Sequence, residues 1–212
     1  MSARLGLLIS GGGRTALNLL DRIEEGTLAA EVGVAISTRA DAPGVERLRA
    51  RGIAVEVVAR RPGAEERTLH DRTDELLLQA GVDLVCCCGW LRHVRVRGPA
   101  VDWSWRCVNI HPSLLPRFGG KGMHGEHVHA AVLAAGETES GCTVHYVDEL
   151  YDHGPIILQR RVPVLAGDDV ATLAARVFAA ECLAYPEAVQ RHVEAVGRGQ
   201  RAAECSGAAT GR

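Results

Sequence analysis

The run Val108-Asn109-Ile110-His111-Pro112-Ser113-Leu114-Leu115-Pro116 carries an amide and an imidazole one residue apart, at the end of an apolar stretch. If that stretch is a β-strand, its period of two puts Asn109 and His111 on one face. There they can address a single reacting oxygen, the amide as a fixed donor and the ring as a donor or proton carrier. Two prolines then stiffen the exit. Further on, Tyr151-Asp152-His153-Gly154-Pro155 reads as a second turn that carries a carboxylate. Asp152 beside His111 would favour the imidazolium and hold the ring's orientation, so the expected His111 pKa lies above its ordinary value. Each residue alone also suits a turn or a packed core. The conjunction is what points to chemistry.

The elements that must position these groups read as alternating strands and helices. Leu5 to Ser10 is an apolar run that ends at Gly11-Gly12-Gly13, after which Ala16, Leu19, Leu20 and Ile23 recur at helical spacing. The N–H groups of such a helix start favour an anion, commonly a phosphate. Gly11-x-Gly13-x-x-Ala16 also satisfies a relaxed dinucleotide fingerprint, but the next strand, Val32 to Ser37, leads into Thr38-Arg39 rather than the acidic residue a ribose would want. Arg39 could instead meet the 2′-phosphate of NADP, and that alternative stays open here. Helices are expected from Pro43 to Ala50 and around Leu69 to Ala80, and strands at Ile53 to Val58 and Leu84 to Cys88. A helix opening at Glu126, strands at Cys142 to Val147 and Ile156 to Val164, and a final helix through Leu173, Val177, Ala180 and Ala184 complete the pattern. The expected fold is α/β, a doubly wound, mostly parallel Rossmann-like sheet with an antiparallel edge near the C-terminal half. Ligands in such sheets sit beyond the carboxyl ends of the parallel strands.

Composition narrows the function class. At 212 residues with a formal net charge of −2 and no long basic run, the chain offers little to a phosphate backbone, so nucleic acid is not an expected partner. Its seven cysteines are an odd number, and Cys86, Cys87 and Cys88 sit in one apolar run, which suits reduced thiols in a core better than a disulfide framework. No signal sequence or membrane-length apolar run is evident, so a cytoplasmic protein without membrane partners is expected. His124, His127 and His129 are close in sequence, yet His127 and His129 would face different sides of a helix and no carboxylate or thiol pattern completes a site. No metal is expected. From residue 197 onward small and polar residues dominate, so the expected division is a catalytic domain over 1–196 and a disordered tail over 197–212. A homodimer is compatible with the sequence.

Four stretches, LLISGGG, VNIHPSLLPRFGGKGMHGEHVHAAVLAAG, GCTVHYVDELYDHGPIILQRRVPV and AAECLAYPEAV, spread over nearly the whole chain and together resemble the folate-dependent formyltransferases. The pattern is nearest to the members that act on the glycinamide ribotide of purine synthesis. That resemblance implies 10-formyltetrahydrofolate as co-substrate, no metal, and Asn109, His111 and Asp152 as the catalytic set. It also implies that Leu91, Arg92, His93 and Val94 meet the pterin, that His124 and Glu181 approach the acceptor, and that the glycine turn, with Gly13, Arg14 and Thr15, holds the ribotide phosphate. Relatives carry Gly-x-Gly-Ser-Asn where this chain has Gly11-Gly12-Gly13-Arg14-Thr15. The backbone donors survive that change while the side chains differ. Rival expectations are a formyltetrahydrofolate hydrolase, a sugar formyltransferase, a methionyl-tRNA formyltransferase lacking its basic domain, and, outside enzymes, a silent nucleotide-binding module.

Overall fold

A computed structural model describes residues 2–59 and 65–199 and falls into two compact units, Met1–Val108 and Asn109–Arg212. The first unit contains strands β1 (Ala3–Ile9), β2 (Ala30–Ser37), β3 (Val55–Val57) and β4 (Leu84–Cys87), with helices α1 (Arg14–Glu24), α2 (Pro43–Ala50) and α3 (Glu66–Gln79) between them. β1 pairs in parallel with β2 on one side and β4 on the other, and β2 pairs in parallel with β3. Leu5, Leu7, Leu8 and Ile9 of β1 are all buried. Both faces of that strand are therefore covered, which is why it reads as a continuous apolar run rather than an alternation.

The glycine turn after β1 is held by close backbone packing. Gly13 has φ 69, a left-handed conformation that costs a glycine little. Gly44 at the start of α2 donates its N–H to the Gly11 carbonyl at 3.0 Å, and a Cβ on Gly44 would stand 2.7 Å from that oxygen. The turn and the first turn of α2 thus interlock only because neither carries a side chain at the contact.

Strand β5 (Cys107–His111) leads into the second unit, which contains α4 (Glu126–Ala134), β6 (Glu139–Tyr146), β7 (Ile156–Pro163) and α5 (Val170–Gly197). β6 and β7 are antiparallel, with Thr143 opposite Gln159. Helix α5 opens with a capping box, in which the Asp169 carboxylate accepts the Thr172 N–H and the Thr172 hydroxyl accepts the Asp169 N–H. The expected parallel sheet and antiparallel C-terminal edge are both present, so the fold is α/β of the doubly wound, Rossmann-like class.

Several boundaries differ from the sequence expectation. β6 begins at Glu139, ahead of Cys142, because Glu139, Ser140 and Gly141 pair with Pro163, Val162 and Arg161 across the hairpin. Pairing partners far along the chain fix that boundary, and periodicity within one segment does not report them. Helix α5 continues past Ala184 to Gly197 with Pro186 inside it. The expected tail lies, from residue 200 on, outside the described residues. No helix among the described residues is long and apolar enough to cross a membrane.

Candidate active site

Side chains of the second unit converge around Asp152. β5 delivers His111 to the interior, 3% exposed, with its Nδ1 3.4 Å from Asp152 Oδ2. The opposite ring nitrogen, Nε2, lies 2.8 Å from the Phe118 carbonyl oxygen. A carbonyl only accepts, so Nε2 carries a proton and donates it. Asp152 sits in the connection after β6 with a left-handed φ of 53, and its Oδ2 accepts the Gly120 N–H at 2.9 Å. Gly154, two residues on, packs so tightly that an added Cβ would run into the Tyr146 carbonyl. The left-handed backbone at Asp152 and the missing side chain at Gly154 together aim the carboxylate at the ring.

The loop between β5 and α4 is tied down from below. The Thr143 hydroxyl donates to the Ser113 carbonyl at 2.7 Å and accepts from the Leu115 N–H at 3.0 Å. Gln159 donates to the Thr143 hydroxyl at 2.8 Å and to the Leu115 carbonyl at 3.0 Å. This buried network, made by facing residues of β6 and β7, satisfies the backbone of the Pro-Ser-Leu-Leu-Pro exit where it turns away from β5.

A further imidazole completes the cluster. His145 of β6 is 2% exposed; its Nδ1 is 2.9 Å from the Tyr146 carbonyl, and its Nε2 is 3.2 Å from Asn109 Nδ2. The same Nε2 stands 3.7 Å from Asp152 Oδ1, too far for a hydrogen bond. Nothing in the residues around His145 singles it out by type or spacing. A period-two reading of Cys142-Thr143-Val144-His145 would have put Thr143 and His145 on one face, but without the hairpin register nothing connected that face to Asn109.

Electrostatics correct one expectation. The His111 pKa is lowered, not raised: burial of the ring outweighs the Asp152 carboxylate and the Phe118 carbonyl, which both favour the imidazolium, and His145 opposes it further. Desolvation wins because the carboxylate is at 3.4 Å rather than in tight contact, while the ring is almost wholly removed from water. Asp152 shows the converse balance. Burial pushes its carboxyl up, yet His111 and the Gly120 N–H hold it below the usual carboxylate range. The resting pair is thus an ionised carboxylate beside a ring biased toward neutrality. His129 on α4 is buried too, its pKa lowered first by burial and then by His111.

The other expected site residues fall into separate groups. In the first unit, Gly13 is the residue before α1, Arg14 and Thr15 begin the helix, and Arg14 is exposed. Arg47 of α2 donates to the Gly12 carbonyl at 3.1 Å. Leu91, Arg92, His93 and Val94 lie on the loop after β4, where the Leu91 N–H donates to the Ser10 hydroxyl at 3.1 Å. Ser10 also accepts from Thr38 at 3.0 Å, so one buried hydroxyl fastens this loop to the carboxyl end of β1, beside the glycine turn. Beyond the loop, Arg95 reaches buried Asp74 at 2.5 Å, and the same carboxylate accepts from Trp103 Nε1 at 3.0 Å. Leu91 itself is exposed, and the His93 ring meets the His70 ring edge-on with centroids 6.1 Å apart. Arg39 is engaged by Asp41 through two exposed hydrogen bonds of 3.0 and 2.7 Å.

In the second unit, His124 is exposed and its ring lies 5.3 Å from that of His127, also exposed. Glu181 is half-buried on α5. Among the described residues no group of histidine, cysteine and carboxylate side chains is arranged to hold a metal ion.

Comparison with known proteins gives a consistent picture. The profile of the formyl transferase family matches residues 3–189. Glycinamide ribonucleotide transformylase 1 of Symbiobacterium toebii superposes with a TM-score of 0.83 at 42% identity, covering 91% of this chain and 88% of that one. The chloroplastic phosphoribosylglycinamide formyltransferase of Vigna unguiculata is 37% identical over 188 residues, 88% of this chain and 60% of that protein. The trifunctional purine biosynthetic protein adenosine-3 of Drosophila pseudoobscura pseudoobscura is 41% identical over 189 residues, but the chain spans only 13% of its length.

Proposed function

The chain belongs to the formyl transferase family, and from that membership and the Asp152 cluster we propose that it moves the formyl group of 10-formyltetrahydrofolate onto the amine of 5′-phosphoribosylglycinamide, a step of purine biosynthesis. The observation that carries the reading is the buried His111 facing an ionised Asp152, with Asn109 anchored beside them. In this reaction the amine's lone pair attacks the formyl carbon, and the carbonyl electrons move onto oxygen. Collapse of the tetrahedral intermediate breaks the bond to the folate nitrogen, which leaves with a proton.

Asn109 supplies an amide N–H to the oxyanion. His111, biased toward neutrality, takes the proton that the attacking amine must lose. Its Nε2 is occupied by the Phe118 carbonyl, so the proton goes to Nδ1, where the Asp152 carboxylate stabilises the imidazolium before it protonates the leaving nitrogen. This differs from a ring protonated at rest, and it follows from the ring's burial.

In the same reading the N–H groups of Gly13 and Thr15 with the Arg14 guanidinium hold the ribotide phosphate, because a helix start with an adjacent guanidinium favours an anion. Leu91, Arg92, His93 and Val94 meet the folate, and His124 and Glu181 approach the acceptor. The partners are these small molecules and neither nucleic acid nor membrane; a homodimer is compatible with the scheme. Residues 1–196 form the catalytic domain. The site of action is the cytoplasm, although the Vigna unguiculata relative is chloroplastic.

A single coupled assay tests the proposal: formyltetrahydrofolate consumption with and without glycinamide ribonucleotide. Consumption that requires the ribotide and yields its formyl derivative is the expected result. Acceptor-independent turnover would make the protein a hydrolase, and absence of turnover would leave a binding module.

A further inference from the structure

We propose that His145 is a positioning residue that fixes the orientation of the Asn109 amide. The proposal rests on the formyl-transfer reading for the task of Asn109, though not for the contact itself. His145 Nδ1 lies 2.9 Å from the Tyr146 carbonyl, which can only accept, so Nδ1 bears the proton. In the neutral ring the lone pair is then on Nε2, 3.2 Å from the Asn109 side chain. Only the nitrogen end of the amide can face a lone pair, and this fixes the Asn109 rotamer by chemistry.

The consequence concerns the oxyanion. One Asn109 N–H is held by His145, which leaves the other with a set direction. Without His145 the amide is free to turn over, and the turned form would present its carbonyl oxygen to a developing negative charge. A donor would become a repulsive acceptor. His145 is well suited to prevent this, being 2% exposed and paired with Ile156 of β7, just past a register shift after Val144. Its Nε2 stands 3.7 Å from Asp152 Oδ1, beyond hydrogen-bond reach, so the Asn109 amide is the group that this nitrogen holds.

Two amide substitutions separate this role from a structural one. In His145→Gln the terminal amide reaches the place of Nε2 and can offer its oxygen to Asn109. In His145→Asn the amide stops near the place of Nδ1, keeping a donor for the Tyr146 carbonyl and leaving Asn109 without an acceptor. The expected result is a kcat within about three-fold of wild type for His145→Gln and a fall of about ten-fold or more for His145→Asn, with both KM values nearly unchanged. In an Asn109→Ala background, His145→Asn should cause no further loss. Equal losses in both variants, wild-type kcat in His145→Asn, or a loss that persists without Asn109 would overturn the proposal.

A second readout needs no activity. Asn18 and Asn109 are the only asparagines in the chain, so selective ¹⁵N-asparagine labelling of the wild type gives two side-chain amide pairs. The two Asn109 protons should be widely separated, with one slowed in exchange. The separation should survive in His145→Gln and collapse in His145→Asn, where the added amide is recognised by its absence from the wild-type spectrum. A wild-type Asn109 pair that is narrow and freely exchanging removes the contact. A wild type that transfers no formyl group, with the amide pair behaving as described, removes the assigned task of Asn109 and leaves its positioning by His145 standing.

Discussion

The glycine turn of the first unit and the Asp152 cluster of the second make opposite use of the chain. The turn is built from backbone: Gly13 in a left-handed conformation, Gly44 packed against the Gly11 carbonyl, and an exposed Arg14 at the helix start. It can offer fixed N–H dipoles in water, which suits holding an anion and little else. The cluster is built from side chains largely removed from water whose pKa values are displaced, His111 and Asp152 both downward. Burial there makes each charge matter, because protonation and partner geometry control one another in a low dielectric. Grip and chemistry should therefore separate experimentally.

The largest expected effect is on chemistry. Asp152→Asn and His111→Ala should each lower kcat by roughly two or more orders of magnitude while leaving both KM values within a few-fold, since they remove proton handling rather than binding. Steady-state kinetics with both substrates varied would show it. A rise in KM without loss of kcat would move these residues into the binding group and erase the contrast.

Next come the two glycines that allow close approach. Gly154→Ala puts a Cβ against the Tyr146 carbonyl and should destabilise the fold by about 2–4 kcal/mol, with kcat falling alongside, because Asp152 is aimed by the same turn. Gly44→Ala meets the Gly11 carbonyl at 2.7 Å and should raise the acceptor KM with a smaller stability loss. Urea denaturation paired with kinetics checks both. If Gly44→Ala lowered kcat at saturating acceptor, the turn would have a part in the chemistry.

A smaller effect should follow Arg14→Ala: an acceptor KM raised by roughly five- to ten-fold, as loss of one charge-assisted contact would give, with folate binding unaffected. An unchanged acceptor KM would take Arg14 out of the phosphate site.

The cluster should also show itself in stability against pH. His111 and His129 have folded-state pKa values below the ordinary imidazole value of roughly 6.5, so as pH falls through that value the unfolded chain binds protons that the folded chain refuses. Stability from these rings is complete above about 6.5 and declines below it, toward the lower folded-state values. Melting temperature should accordingly fall between about pH 6.5 and 5, and His129→Gln should flatten part of that slope. A melting temperature rising over this interval would contradict the direction of both shifts.

The smallest effect is reserved for the chain's end. Removing residues 200–212 should leave kcat and melting temperature nearly unchanged, because their small and polar composition offers little to bury. The family match itself ends at residue 189.

How much of this was legible beforehand differed between the two regions. The glycine turn and α1 could be read locally, because Gly11-Gly12-Gly13 and the spacing of Ala16, Leu19 and Leu20 lie within one segment. Its dependence on Gly44 could not, since that contact joins residues from two different segments. Asn109, His111 and Asp152 were found from their types and from a family pattern, and the structure brings His111 and Asp152 together at 3.4 Å. The sign of the His111 shift is not legible in the sequence. It depends on how completely the ring is buried, which a sequence containing a nearby carboxylate does not reveal. His145 was missed because its partner on β5 becomes visible only once the strand's neighbours are known.

The central claim is that His111 and Asp152 act as one proton-handling unit, and the double-mutant cycle on kcat tests it most directly. If it holds, His111→Ala combined with Asp152→Asn loses little more activity than the worse single variant, because Asp152 has no imidazolium left to stabilise once the ring is gone. Losses that multiply in full, or an Asp152→Asn enzyme with wild-type turnover, would contradict it.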